Sequence, residues 1–252
     1  MKHAAAFAFA LMLAACASAP PAPPAAASPA APSAPVSPAS PASAALPNDL
    51  KWVRDAAEYQ ALALQAYKTA TARVEQQAPL RARGAWAVVL DADETVISNF
   101  QYQLERARQR RGYTAESWNA WVKRRDATPI AGAAPFLSRV RALGGRIAIV
   151  TNRLGSECAD TEAVFRAHQL VYDVMLCRPD GTPSDKNPRF ASVASGRAFA
   201  AAAPVDVVAF VGDNILDFPA LNQAMKKGGD AAFAEFGVRF FMLPNPMYGS
   251  WQ

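Results

Sequence analysis

The sequence predicts an α/β fold: a doubly wound, Rossmann-like parallel sheet with a small, mainly helical cap and an N-terminal helix. Three observations carry this. Short runs rich in Val and Ile are apolar along their whole length rather than alternating, as strands buried on both faces are. Segments with helical periodicity separate them, the alternation that builds a parallel sheet. One gap between strands, from Asp91 to Arg146, is too long for a single crossover and calls for an insertion.

In chain order, apolar residues at Trp52, Ala56, Tyr59, Ala63, Tyr67, Ala70 and Val74 recur at helical spacing. They predict one long helix from Asp49 to Ala78, ended by Pro79. Strands are expected at Ala87 to Leu90, Ile147 to Val150, Val207 to Val211 and Val238 to Leu243, with a weaker one at Val174 to Leu176. Helices are expected at Ala133 to Leu143, with Pro135 near its start and Gly144-Gly145 at its stop, at Glu157 to His168, and at Phe190 to Ala202. Within the long gap, residues 100–127 carry Tyr102, Tyr113, Trp118, Trp121 and further helix signal, and are read as a cap inserted after the first strand.

The ends of the chain read differently. Met1-Lys2-His3 followed by an apolar run from Ala4 to Ala15 is a positive head with a core too short to span a bilayer permanently, so 1–15 is expected to be an export signal. Leu13-Ala14-Ala15-Cys16 resembles a bacterial lipobox, which makes Cys16 the expected lipidation site and the cell envelope the expected location. Ala17, in place of Asp, favours the outer membrane. An ordinary secretory signal with an incidental Cys16 is the alternative. Half of the 20 prolines fall in 16–47 among Ala and Ser, with no charged residue, which is the composition of a semi-extended tether and not of a core. Residues 48–252 remain for the folded domain.

The net charge of +5 is modest, and no dense Lys/Arg tract interleaved with aromatics marks a nucleic-acid groove. Arg106, Arg108, Arg110 and Arg111 read as a solvated helix face. Once Cys16 is set aside, Cys158 and Cys177 are the remaining cysteines. Export permits a disulfide between them, but spacing alone leaves a bridge and two free thiols equally open.

In open parallel sheets ligands gather at the carboxyl ends of the strands. There this sequence concentrates its polar groups: Asp91-Ala92-Asp93-Glu94-Thr95 after the first strand, Thr151-Asn152-Arg153 after the second, Gly212-Asp213-Asn214-Ile215-Leu216-Asp217 after the strand 207–211, and Asp185-Lys186-Asn187-Pro188-Arg189 between the last two. Taken singly, each has a plain explanation. Asp91 reads equally as a turn or N-cap residue, Thr151 and Asp217 as caps, and Lys186 as a surface lysine. Together, the acidic residues would form a costly like-charge cluster unless a divalent cation and an anionic substrate neutralised it, and Mg²⁺ suits carboxylate oxygens. An EF-hand reading of Asp91, Asp93 and Thr95 fails, because Val96 and Tyr102 stand where that loop needs Gly and a bidentate Glu.

These stretches resemble, in order, the four motifs of the haloacid dehalogenase (HAD) superfamily of phosphohydrolases. The likeness narrows further. Val89-Leu90-Asp91-Ala92-Asp93-Glu94-Thr95-Val96-Ile97-Ser98-Asn99 with Tyr102, Val150-Thr151-Asn152-Arg153, Val211-Gly212-Asp213-Asn214-Ile215-Leu216-Asp217-Phe218 and the tail Leu243-Pro244-Asn245-Pro246-Met247-Tyr248-Gly249-Ser250-Trp251 are similar to class C acid phosphatases, the bacterial outer-membrane lipoprotein phosphatases. Ala92, where a larger aliphatic is common, departs from the pattern, and Lys186-Asn187-Pro188-Arg189-Phe190 is its least specific link.

The resemblance implies a Mg²⁺-dependent phosphomonoesterase. Asp91 would be the nucleophile that forms an aspartyl-phosphate, and Asp93 the acid and then the base. Mg²⁺ would be held by Asp91, by Asp93 through its backbone carbonyl and by Asp213, with Asp217 in support. Thr151 and Lys186 would bind the phosphoryl oxygens. It further implies a 5′-nucleotidase whose base stacks between Trp118 and Tyr248, acting on nucleoside monophosphates or nicotinamide mononucleotide. Taken alone, Trp118 reads more readily as ordinary packing, with Trp121 one turn on as the core-facing ring. Two rivals stand beside this: a surface-anchored nucleotide- or haem-binding lipoprotein without turnover, and a phosphotransferase or sugar-phosphate phosphatase on the same scaffold. Histidine phosphatases are excluded, since His3 and His168 are the only histidines and neither has an Arg-His-Gly context.

Overall fold

The structure, a computed structural model, describes residues 45–201 and 203–252. The expected export signal 1–15, the lipidation site Cys16 and nearly all of the tether 16–47 lie outside the described residues.

Five parallel strands form the central sheet: β1 (Trp86–Leu90), β4 (Arg146–Leu154), β5 (Val174–Arg178), β6 (Asp206–Gly212) and β7 (Phe240–Met242), in the order β5-β4-β1-β6-β7. Each strand feeds side chains alternately to two cores. Val88, Leu90, Ile147, Ile149 and Val208 face α2 (Ala57–Gln77), α5 (Ala133–Ala142) and α6 (Cys158–Ala167). Ala87, Val89, Ala148, Val150 and Phe210 face α7 (Asn187–Ala194), which contributes Phe190 and Val193. Burial on both sides is why the strands read as unbroken apolar runs. The chain builds outward from β1 through β4 and β5, then returns to β6 and β7 on the other flank. The carboxyl end of β1 therefore lies where the strand order reverses, the position at which such sheets hold ligands.

The single N-terminal helix expected from the periodicity is two helices. α1 (Asn48–Asp55) and α2 are separated by Ala56, which is extended at φ −86° and ψ 126°. Leu50 and Val53 of α1 pack against Met247 of the tail, whereas Ala63, Tyr67, Ala70 and Val74 of α2 pack on the sheet. One straight helix cannot serve both surfaces, so a stripe that is continuous in sequence breaks in space. The helix expected to reach Ala202 ends instead at Ala194. Gly196 follows at φ +78°, where a Cβ would lie 2.2 Å from the Ala203 carbonyl oxygen, and this turn carries the chain toward β6. The last strand is likewise shorter than 238–243, with Val238 half exposed.

Between β1 and α5 the chain inserts β2 (Ile97–Ser98), α3 (Phe100–Arg108), α4 (Ala115–Arg124) and β3 (Thr128–Pro129), with β2 and β3 paired antiparallel. α4 starts on a capping box in which the Thr114 hydroxyl accepts the Ser117 amide at 3.1 Å. Cys158, the first residue of α6, and Cys177 of β5 form a disulfide with their Cα atoms 6.0 Å apart, which decides the choice that spacing left open. Among the described residues no helix is long and apolar enough to cross a membrane.

Candidate active site

Leu90 ends β1 and delivers Asp91 to the carboxyl edge of the sheet, its amide bonded to the Val211 carbonyl of β6 at 3.0 Å. The chain then turns tightly, with the amides of Val96 and Ile97 both donating to the Ala92 carbonyl at 2.9 Å. Inside this turn Glu94 is held at φ +51°, a left-handed conformation that costs a non-glycine residue on the order of 1 kcal/mol. Its buried carboxylate offsets that cost by accepting the Asn99 amide at 2.6 Å and the Tyr248 hydroxyl. From the other side Tyr67 of α2 donates its hydroxyl to the Thr95 carbonyl at 2.7 Å.

Asp91 meets Lys186 and Asp217 in a buried cluster. The Lys186 ammonium, at the N-cap of α7, donates to Asp91 at 2.5 Å and to Asp217 at 2.6 Å. Gly212 makes room for this arrangement, since a Cβ there would lie 2.3 Å from the Asp217 Cβ. Asp213 completes the group, with carboxylate oxygens of Asp91, Asp213 and Asp217 all within 4.8 Å of one another. Its direct partners are neutral: the Thr95 hydroxyl at 3.1 Å and the Asn245 amide at 2.8 Å.

One lysine against three carboxylates leaves the cluster short of positive charge. Burial, opposed by Lys186 and reinforced by Asp217 and Asp93, pushes the Asp91 carboxyl up to about 7. Burial and the charges of Asp217, Asp91 and Glu94 hold Asp213 well above the usual carboxylate range. Lys186 is raised: burial works against its charge, but Asp217 and Asp91 outweigh it. An all-oxygen donor set this close together, with a charge deficit, fits a hard divalent cation.

The Asp93 side chain lies apart from that group; the sequence assigns only its backbone carbonyl to a metal. Its carboxylate accepts the Asn99 side-chain Nδ2 at 2.8 Å and the Arg153 guanidinium at 2.8 to 2.9 Å. The side chain is thereby committed elsewhere, and the backbone carbonyl is the donor left to it. Arg153, buried at the end of β4, also donates to the Asn99 side-chain oxygen at 2.9 Å and to the Thr161 hydroxyl at 3.1 Å. Asn99 is the hub of this second group, accepting the Trp121 indole N–H at 2.8 Å as well. Arg153 and Asn99 stood inside the quoted motifs without a role. The available signal was a guanidinium shortly after the apolar run Ile147 to Val150, which must find an anion when buried.

Thr151 is fully buried, its hydroxyl accepting the Arg153 amide at 3.1 Å. Its neighbours Asn152 and Arg153, and not Thr151 itself, line the cavity that opens above the carboxylates. Arg189 fixes this strand end by donating to the Thr151 carbonyl and, at 2.6 Å, to the Asn152 side-chain oxygen.

The cavity has a volume of about 590 Å³. Asp91, Asp93, Lys186, Asp213 and Asp217 line it, and so do Trp118 and Tyr113 from the insertion between β1 and α5 and Met247, Tyr248 and Gly249 from the tail. Of the two cap tryptophans, Trp121 is buried in the core and Trp118 turns to the cavity, edge-on to Tyr102 at 5.2 Å.

Residues 27–251 match the model of the HAD superfamily, subfamily IIIB (acid phosphatase). The chain belongs to that family. It is an acid phosphatase, a phosphomonoesterase, and its parallel sheet with flanking helices is the fold of the class C members. The class C acid phosphatase from Bacillus anthracis superposes with a TM-score of 0.69 at 26% identity, over 81% of this chain and 85% of that one. A second structure of the class C enzyme from the same organism, with tungstate bound, matches equally well at 25% identity and the same coverage.

Proposed function

We propose that this acid phosphatase is a Mg²⁺-dependent 5′-nucleotidase that hydrolyses nucleoside monophosphates through an aspartyl-phosphate. The observation that carries the reading is a single cavity lined both by Asp91, Lys186 and a carboxylate group able to hold a cation and by two aromatic rings, Trp118 and Tyr248. Tungstate, bound in the relative, is a tetrahedral oxyanion with the shape of phosphate.

The Asp91 carboxylate attacks phosphorus in line, and the bond from phosphorus to the ester oxygen breaks. Asp93 gives its proton to the departing oxygen, then removes one from the water that opens the acyl phosphate and so returns Asp91. Lys186 releases part of its hold on Asp91 and Asp217 to the incoming phosphoryl oxygens, stabilising charge as it builds. Asp91, the Asp93 carbonyl and Asp213 would hold Mg²⁺, with Asp217 beside them, and the bound cation would supply the missing positive charge against the phosphoryl group. The base lies between Trp118 and Tyr248, where stacking is worth roughly 1 to 3 kcal/mol and tolerates any base.

Trp118→Ala should raise KM for a nucleoside monophosphate about tenfold or more and change KM for a small aryl phosphate little. Tyr248→Phe, which keeps the ring and drops the bond to Glu94, should stay near the wild type on both. Equal losses for Trp118→Ala on the two substrates would return the protein to a general acid phosphatase.

A further inference from the structure

We propose that Arg153 is a positioning residue that aims the general acid Asp93 at the leaving oxygen, so that its contribution depends on the leaving group. The proposal rests on the acid role given to Asp93 above. It starts from a charge that has no reason to be buried for stability alone: the Arg153 side chain is 1% exposed, and taking a guanidinium out of water is costly unless its donors are used. Here they are used in three directions. Nε and one terminal nitrogen grip the Asp93 carboxylate, that terminal nitrogen also reaches the Asn99 side-chain oxygen, and the other reaches the Thr161 hydroxyl.

Asn99 closes the ring by donating to the same Asp93 oxygen at 2.8 Å, while its own oxygen is pinned by Trp121. Two side chains, Arg153 and Asn99, therefore hold one oxygen of the Asp93 carboxylate through three nitrogens. Its second oxygen takes only a longer bond, 3.2 Å from Arg153 Nε, and Asp93 borders the cavity. A plane set by two rigid donors leaves the second oxygen as the one that can carry and deliver a proton. The guanidinium carbon also lies over the Trp118 ring, 5.3 Å from its centroid, so Asp93 and Trp118 share one support. Lysine could supply the charge but not the planar fork that spans Asp93, Asn99 and Thr161.

General acid assistance matters most when the departing oxygen is a poor leaving group. An alkoxide needs a proton to leave, whereas a nitrophenolate leaves without one. The test compares kcat/KM for glycerol 2-phosphate and for p-nitrophenyl phosphate, neither of which is a nucleotide, in the Mg²⁺-loaded wild type, Arg153→Lys, Arg153→Met and Asp93→Asn. Both Arg153 variants should lose at least about tenfold more on the alkyl than on the aryl ester, in the same sense as Asp93→Asn but by less. A residue that only holds the fold, or one that grips the phosphoryl group itself, lowers both esters by the same factor, and that result overturns the proposal. If Arg153→Met does not fold, Arg153→Lys, which keeps the buried charge, carries the comparison. Should Asp93→Asn itself show no leaving-group dependence, the acid assignment under the proposed function falls and the proposal falls with it. A steep Asp93→Asn beside flat Arg153 variants removes the role of Arg153 alone.

Discussion

Asp91 and Asp93 stand two residues apart on one loop, and the protein surrounds them in opposite ways. Around Asp91 one ammonium serves two of three carboxylates, Asp91 and Asp217, and the direct partners of the third, Asp213, are neutral. Around Asp93 every strong interaction is already made within the protein, through Arg153 and Asn99, with Trp121 and Thr161 behind them. The first region is electrostatically incomplete and the second is closed. An incomplete cluster gains from an incoming cation and a phosphoryl group; a closed one holds its carboxylate in place, as the proposed acid role of Asp93 requires. Neighbouring carboxyl groups thus acquire separate tasks from their surroundings.

The comparison breaks most severely at Asp91, the proposed nucleophile. Asp91→Asn keeps the shape of the side chain and removes its negative charge, so kcat should fall by about a thousandfold or more in a phosphatase assay, with the fold retained by circular dichroism. Residual activity above about a tenth of wild type would assign the attack to another group.

A smaller effect is expected from Gly212→Ala. The added methyl collides with Asp217, whose carboxylate sits 2.6 Å from Lys186, so the cluster loosens while the Asp93 group is untouched. We expect about a tenfold loss in apparent Mg²⁺ affinity, measured by metal titration of activity, and an alkyl-to-aryl preference equal to the wild type.

The smallest effect concerns stability and pH. The Asp91 carboxyl rises from 3.8 to about 7 on folding, mainly through burial. A raised carboxyl binds its proton more tightly in the folded chain, so its stabilising contribution is complete below 3.8 and is lost as the pH climbs through about 7. Asp213 moves in the same direction. Metal-free protein should therefore lose several degrees of Tm between about pH 4 and 7. Added Mg²⁺, which favours the ionised carboxylates, should restore more of it at the upper end of that range than at the lower. A Mg²⁺ effect that is flat across this range would show that the cluster carries no such deficit.

Much of the site was legible because the motifs are local. Asp91, Asp213 and Asp217 each follow a recognisable buried strand, and a strand end in a parallel sheet already fixes the edge to which its next residues go. Lys186 was harder, since nothing nearby distinguishes a catalytic lysine from a surface one until α7 is seen to bring it against Asp91. Arg153 and Asn99 were within the quoted motifs, yet their partnership spans 54 residues, and sequence periodicity holds no information about which distant carboxylate a guanidinium meets. The long N-terminal helix failed for the same reason in reverse, because a regular apolar stripe does not say that its two parts face different neighbours.

By itself, then, the sequence determined the alternation of strands and helices, the edge of the sheet where charge collects and the chemical types assembled there. These follow from solvent exclusion and chain direction, which act on each segment separately. Tertiary structure alone decided that Cys158 meets Cys177, that Trp118 and not Trp121 faces the cavity, that Thr151 is withdrawn from it, and that Asp93 is held by Arg153 while Asp91 is left beside Lys186 and two more carboxylates. None of those follows from a segment taken alone, because each depends on how separate elements pack against one another.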